Sequence, residues 1–190
     1  MNYRVTSREL LETLEAWDAV LPGRGKIRMI ACGGTAMTLL GYKESTKDVD
    51  FLIPDTQDYE RLIRFLKAAG YQPASGHSWK RPGEVLVFDL FLGDRVYQTD
   101  LLSSPLRKGG HRKIREWKKI YLGVLNPPDL IITKLFRGDQ VDFDDCYVVV
   151  QKEKPDLRKL EKRYRETASY YPNEGKVLKH WDWFLRDIKK

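Results

Sequence analysis

Ile27-Arg28-Met29-Ile30-Ala31-Cys32-Gly33-Gly34 and, after thirteen intervening residues, Asp48-Val49-Asp50-Phe51-Leu52-Ile53 are the two segments on which the fold of this chain turns. The first is a short apolar run ending at paired glycines. It reads as a buried strand entering a turn, with a short helix over residues 35–40 closed by Gly41. In the second, side chains alternate with the period of a strand, so Asp48 and Asp50 share one face while Val49, Phe51 and Ile53 take the other. Pro54 ends that strand.

Working outward, Thr6-Ser7-Arg8-Glu9 has the spacing of a capping box. Leu10, Leu11, Leu14, Trp17 and Leu21 then recur at helical intervals up to Pro22-Gly23. Residues 56–69 form an amphipathic helix with Gly70 as its cap. A short edge strand is expected over 77–81, and Glu84-Val85-Leu86-Val87-Phe88-Asp89-Leu90-Phe91 is the clearest strand of the chain. Gly93-Asp94 is a turn with 96–101 as the returning strand, and 120–125 is a last short strand. Helices follow near 128–137, 141–151, 155–169 and 174–188. The predicted fold class is α/β: a short, mixed, twisted sheet flanked by helices over residues 1–125, then a C-terminal helical subdomain over 126–190.

Composition bounds the function. Lys and Arg number 34 against 27 Asp and Glu, a formal charge of +7 over 190 residues, with 42% apolar residues. This is enough for a globular core and excludes a disordered or fibrous chain. No window approaches the ~18 continuous apolar residues of a membrane span, so no membrane association is expected. The first residues lack the apolar stretch of a secretion signal. Cys32 and Cys146 are the two cysteines; so few, so far apart, argue against a disulfide scaffold or a thiolate zinc site and for a cytoplasmic setting. His77, His111 and His180 have no metal-ligand spacing.

The chemistry lies in the carboxylates. Asp48 and Asp50 on one face repel each other and favour a cation between them, and hard divalent ions take carboxylate oxygens while leaving positions open for phosphate. Asp89, within the apolar Phe88-Asp89-Leu90-Phe91, is unfavourable to bury alone, and a shared metal site on a neighbouring strand would compensate it. Asp94 reads as a turn residue, whereas Asp100 competes with Asp89 for the third position. Gly33-Gly34 lets the backbone approach a ligand closely at a helix start, a phosphate cradle formed with Thr35. Together these predict a nucleoside triphosphate held on two Mg²⁺ ions, with Mn²⁺ as the alternative, in an in-line displacement.

In Cys32-Gly33-Gly34, the short gap and Asp48-Val49-Asp50 with a later strand carboxylate, the chain resembles the DNA polymerase β-like nucleotidyltransferases. Gly33-Gly34-Thr35-Ala36 with Thr46-Lys47-Asp48-Val49-Asp50-Phe51 is similar to the branch holding the abortive-infection-type nucleotidyltransferase toxins and their uncharacterised relatives. Lys134, Arg137 and Asp142-Phe143-Asp144-Asp145 follow in the order seen there. The resemblance implies the nucleotidyltransferase fold and transfer of a nucleoside monophosphate from an NTP to an acceptor hydroxyl, with pyrophosphate released. It implies Asp48, Asp50 and Asp89 as catalytic metal ligands and Gly33, Gly34 and Thr35 around the triphosphate. Lys134 would neutralise the triphosphate, with Asp142 and Asp145 as further pocket residues. The implied acceptor is RNA, a tRNA end above all, with a protein side chain or a small molecule as the alternatives, and a cognate antitoxin is the implied partner.

Residues 107–119 hold seven basic residues against one acidic, either a solvated face or a clamp on nucleic-acid phosphates. The competing functional class is a non-catalytic module that binds nucleic acid or protein on the same fold. Retention of three aspartates in apolar strands argues against it.

Overall fold

The computed structural model describes residues 3–188. Val5–Thr6 (β1) leads into Ser7–Val20 (α1), with the Thr6–Glu9 capping box formed. Ile27–Ala31 (β2), Gly33–Leu39 (α2), Ser45–Thr46 (β3), Val49–Ile53 (β4) and Thr56–Ala68 (α3) follow. The middle of the chain contributes Gln72–Pro73 (β5), Ser78–Lys80 (β6), Val87–Leu92 (β7), Arg95–Val96 (β8) and Thr99–Asp100 (β9). His111–Glu116 (β10) and Ile120–Leu125 (β11) complete the strands. The chain then becomes helical: Pro127–Arg137 (α4), Gln140–Glu153 (α5), Leu157–Ala168 (α6) and Glu174–Ile188 (α7).

The architecture is mixed α/β, as the sequence predicts. Seven strands form one sheet in the order β10-β11-β2-β4-β7-β6-β5. The pairs β11–β2 and β4–β7 are parallel and the rest antiparallel. Strand alternation divides its two faces. Ile27, Met29, Val49, Phe51, Phe88, Leu90, Ile120 and Leu122 join the helices in one large buried cluster. The opposite face carries a smaller cluster that includes Ile30, Cys32, Leu52, Phe91 and Leu125, and on this face stand Asp50 and Asp89. Leu130, Leu135, Tyr164, Trp181 and Phe184 of the C-terminal helices belong to the large cluster too. The change of secondary structure after residue 125 is therefore not a break in the core.

Several boundaries move. Helix α2 begins at Gly33, not at Thr35, and β4 begins at Val49, leaving Asp48 just before the strand. Strand β7 begins at Val87, so Glu84, Val85 and Leu86 precede it. The expected strand over 96–101 is instead divided: Val96 pairs with Thr99 across a two-residue turn, Tyr97-Gln98, in a separate hairpin. The sequence reading also lacks β10. Its six residues, His111-Arg112-Lys113-Ile114-Arg115-Glu116, are mostly charged because they form an edge strand, where charged side chains deter further pairing.

Candidate functional site

In the parallel pair β4–β7, Asp50 is the register partner of Asp89. Adjacent strands lie about 4.8 Å apart, so period-2 alternation places both carboxylates on one face as near neighbours. Asp50 is 4% exposed, whereas Asp89 is half-buried. Burial pushes the Asp50 carboxyl up from 3.8 to about 6; Asp89 adds to the rise, and a hydrogen bond from Tyr97 offsets part of it.

That tyrosine is the centre of the site. Tyr97 Oη lies 2.7 Å from Asp50 Oδ1 and 3.3 Å from Asp89 Oδ2, so one hydroxyl serves both carboxylates. Its single proton goes to the nearer oxygen, and burial followed by the Asp50 charge raises the phenol well above its usual range. Ser78 Oγ donates to the other oxygen of Asp89. Tyr97 has φ +51° at the first central position of the β8–β9 turn, a conformation that favours glycine. Three contacts hold it there: Arg95 Nε to Tyr97 O at 3.1 Å, Gln98 Nε2 to Phe136 O at 2.7 Å, and the Arg137 guanidinium 5.3 Å from the ring centroid.

Both glycines serve close packing. A Cβ on Gly33, which has φ +53°, would stand 2.5 Å from Asp50 Oδ2, and one on Gly34 would stand 2.5 Å from Thr46 Oγ1. The expected cradle is thus a close fit of the α2 backbone against Asp50 and Thr46. Thr35 is corrected. Fully buried, its hydroxyl accepts from Asp50 N–H at 2.8 Å and donates to Asp48 C=O at 3.2 Å, so it braces the strand and does not face a phosphate. Thr46 Oγ1 donates to the same Asp48 carbonyl at 3.0 Å.

Lys134 is 3% exposed, with Nζ 2.6 Å from Asp145 Oδ2 and 3.5 Å from Asp142 Oδ1. Asp145 also meets Lys43 Nζ at 2.6 Å, and Arg137 holds both oxygens of Asp142 at 2.7 and 2.5 Å. Burial raises the Asp142 carboxyl, but its bonds to Arg137 and the charges of Arg137 and Lys134 outweigh that and hold it below the ordinary value. Lys134, Asp142 and Asp145 are therefore internal members of an ion network. Lys134 reaches the cleft wall only as a paired, buried member, and Lys43 and Arg137 are the network's more exposed cations there.

The cleft itself has a volume of about 280 Å³ and contains both Asp48 and Asp50 in its lining. Five cationic residues line it, Arg4, Lys43, Lys47, Lys134 and Arg137, against three acidic ones, Asp48, Asp50 and Asp145. Asp48 is exposed at its rim. Of the two candidates for the third carboxylate, Asp89 adjoins Asp50, and Asp100 is exposed and 3.8 Å from Arg95. Tyr97, Ser78 and Lys43 were missed by sequence reasoning. A tyrosine inside Val96-Tyr97-Gln98-Thr99 resembles any strand residue, and none of the three belongs to a readable motif.

Asp50 and Asp89 fit a hard divalent cation: they are acceptor-only groups, adjacent, and one is buried with its carboxyl pushed up by that burial. Asp48 does not close a triad with them. Among the described residues, no three His, Cys, Asp or Glu side chains are grouped as metal ligands would be. A larger groove, about 680 Å³, lies away from these carboxylates beside Trp17, Phe65, Tyr71, Arg81 and Glu84. No helix among the described residues is long and apolar enough to cross a membrane. No protein-family model matches the chain, and no curated protein matches it in sequence.

Proposed function

We propose that this protein is a nucleotidyltransferase that moves a nucleoside monophosphate from an NTP to an acceptor hydroxyl and releases pyrophosphate. The observation that carries the reading is the register pairing of Asp50 with Asp89 beside a cleft with excess positive charge. Like charges on adjacent strands are unfavourable without a use for them. Asp50 and Asp89 would hold Mg²⁺ or Mn²⁺, with Asp48 at the rim; the ion supplies charge neutralisation for phosphoryl transfer. Lys43, Lys47 and Arg137 bind and orient the triphosphate, and Arg137 is kept in place by its paired bonds to Asp142. Gly33 keeps Asp50 in position by leaving room for its carboxylate. Asp89, with one oxygen 3.3 Å from the Tyr97 hydroxyl, is placed to receive the proton of an incoming acceptor hydroxyl.

The acceptor we favour is RNA, on the basic excess and the family resemblance, with protein side chains as the competing class. A toxin role, a cognate antitoxin and a cytoplasmic setting belong to the same proposal. One observation favours a second reading, a binding module without catalysis: Tyr97 Oη stands between the two carboxylates.

Both readings meet in one assay. The protein is incubated with α-labelled NTPs, Mg²⁺ and total RNA or cell protein, alongside Asp50→Asn. The proposal expects label on an acceptor from wild type and a loss of at least about a hundredfold in the variant. Label transfer that survives Asp50→Asn removes the assigned site. Salt-sensitive RNA retention with no label on any acceptor favours the binding module.

A further inference from the structure

Tyr97 borders two cavities. On one side lies the cleft with Asp48, Asp50 and the cations; on the other lies a second pocket, also about 280 Å³, lined by His77, Phe91, Leu92, Arg95 and Tyr97. We propose that this second pocket holds the unpaired terminal base of an RNA acceptor strand, and that Tyr97 Oη marks where the acceptor's sugar hydroxyl comes to lie. The inference rests on the nucleotidyl-transfer reading and assigns its acceptor subsite.

Three observations carry it. The first is position. Phe91 stands two residues beyond Asp89 on the same face of β7, about 7 Å along the strand, which is comparable to the span from a base to the hydroxyls of its own sugar. A base in the pocket therefore brings its hydroxyl to the carboxylate pair. Tyr97 Oη already places a hydroxyl within hydrogen-bond reach of both carboxylates, 2.7 Å from Asp50 and 3.3 Å from Asp89.

The second is the chemistry of the walls. The rings of His77 and Phe91 are 4.9 Å apart and those of Phe91 and Tyr97 4.7 Å apart, with the exposed Arg95 at the margin. Phe91, 2% exposed, forms the floor, and the exposed His77 ring, the partly exposed Tyr97 ring and a guanidinium suit stacking on a base of any identity beside a charged backbone. Tyr97 at 37% exposure and the exposed His77 leave this face open.

The third is the strained turn. A tyrosine at φ +51° is retained where glycine is preferred, and such strain gathers at ligand-clamping positions. Arg95, the residue that holds the Tyr97 carbonyl, also lines the pocket.

The test uses the full chain and a short single-stranded oligoribonucleotide carrying 4-thiouridine at its 3′ end, without NTP. Irradiation is expected to crosslink the terminal base to His77, Phe91 or Tyr97. In fluorescence anisotropy, His77→Ala is expected to weaken binding about tenfold, and His77→Phe to restore it. Tyr97→Ala, which removes the ring, is expected to weaken binding to a similar extent. Crosslinks confined to residues outside the pocket, or affinity unchanged by both His77→Ala and Tyr97→Ala, overturn the proposal. So does wild type that binds no oligoribonucleotide while labelling a protein acceptor. Mg²⁺-dependent NTP binding is measured in parallel. If it persists in wild type and falls in Asp50→Asn, the transfer reading stands whatever becomes of the base pocket; if wild type binds no NTP, the transfer reading itself fails.

Discussion

Asp50 concentrates the conflict between stability and function in one side chain. Its carboxyl is raised from 3.8 to about 6 by burial, so folding favours the protonated form. That contribution is fully present below about pH 4 and is lost as pH rises through 6. Above that window the folded protein carries a buried anion, a difference of about 3 kcal/mol from the unshifted group. Asp50→Asn removes the titration. It is expected to raise Tm at pH 7 while abolishing transfer, with the gain shrinking towards zero by pH 4. Thermal unfolding of both proteins across pH 4–8 checks this, and a constant difference across the range would contradict it. Asp50 was legible from the Asp48-Val49-Asp50 alternation. Tyr97 was not, because its role arises from a two-residue turn that brings β8 and β9 over β7, and no local pattern encodes that turn. Thr35 was misread for a related reason: a hydroxyl after paired glycines suits a phosphate as well as it suits the backbone of a neighbouring strand.

At the scale of elements, α4 and α5 are joined by buried charge as well as by apolar packing. Lys134 from α4 sits between Asp142 and Asp145 of α5, and Lys43 closes the network from the segment before β3. Without Lys134, Asp145 keeps Lys43 and Asp142 keeps Arg137, so what is lost is the buried charged hydrogen bonding of Lys134 and not all compensation of the carboxylates. Lys134→Ala is therefore expected to destabilise the fold by about 1.5–3 kcal/mol, read as a fall in the urea midpoint, and Lys134→Met to behave alike because it removes the same charge. A Lys134→Ala protein of unchanged stability with reduced NTP binding would restore Lys134 to the role its sequence context suggests. The helices themselves were readable from periodicity and caps: Thr6 with Glu9, and Gly138 in the left-handed conformation after α4. Strand β10 was not. An edge strand needs only one apolar contact, here Ile114, so its sequence looks like a charged loop.

Across the whole molecule, His111 of β10 pairs with Leu125, and Cys32, Asp50, Asp89 and Ser78 are hydrogen-bonded neighbours in turn at the same end of the sheet. The basic run enters at that end, and three of its seven cations are ion-paired. Arg112 pairs with Glu153, Lys113 with Glu116 and Arg115 with Glu15, while Lys119 donates to the Leu21 carbonyl. Among the described residues, Arg107, Lys108 and Lys118 have no such partner. β10, which begins just beyond the loop bearing Arg107 and Lys108, is three strand spacings, about 14 Å, from β4. If an RNA acceptor runs from that loop to the carboxylates, Arg107→Gln with Lys108→Gln should reduce the salt dependence of binding by about 1.4 in log–log slope. Lys113→Gln should leave the slope unchanged. Equal effects from both would mean that the basic run acts as a diffuse field.

The central claim is that Asp50 and Asp89 form a divalent-cation site for a triphosphate. Anomalous diffraction from crystals soaked with Mn²⁺ and a non-hydrolysable NTP analogue tests it most directly. The account predicts a manganese peak between the two carboxylates, the phosphates towards Lys43, Lys47 and Arg137, and the Tyr97 hydroxyl displaced from its present contacts. Tyr97 unmoved, with no manganese at Asp50 and Asp89, would contradict it.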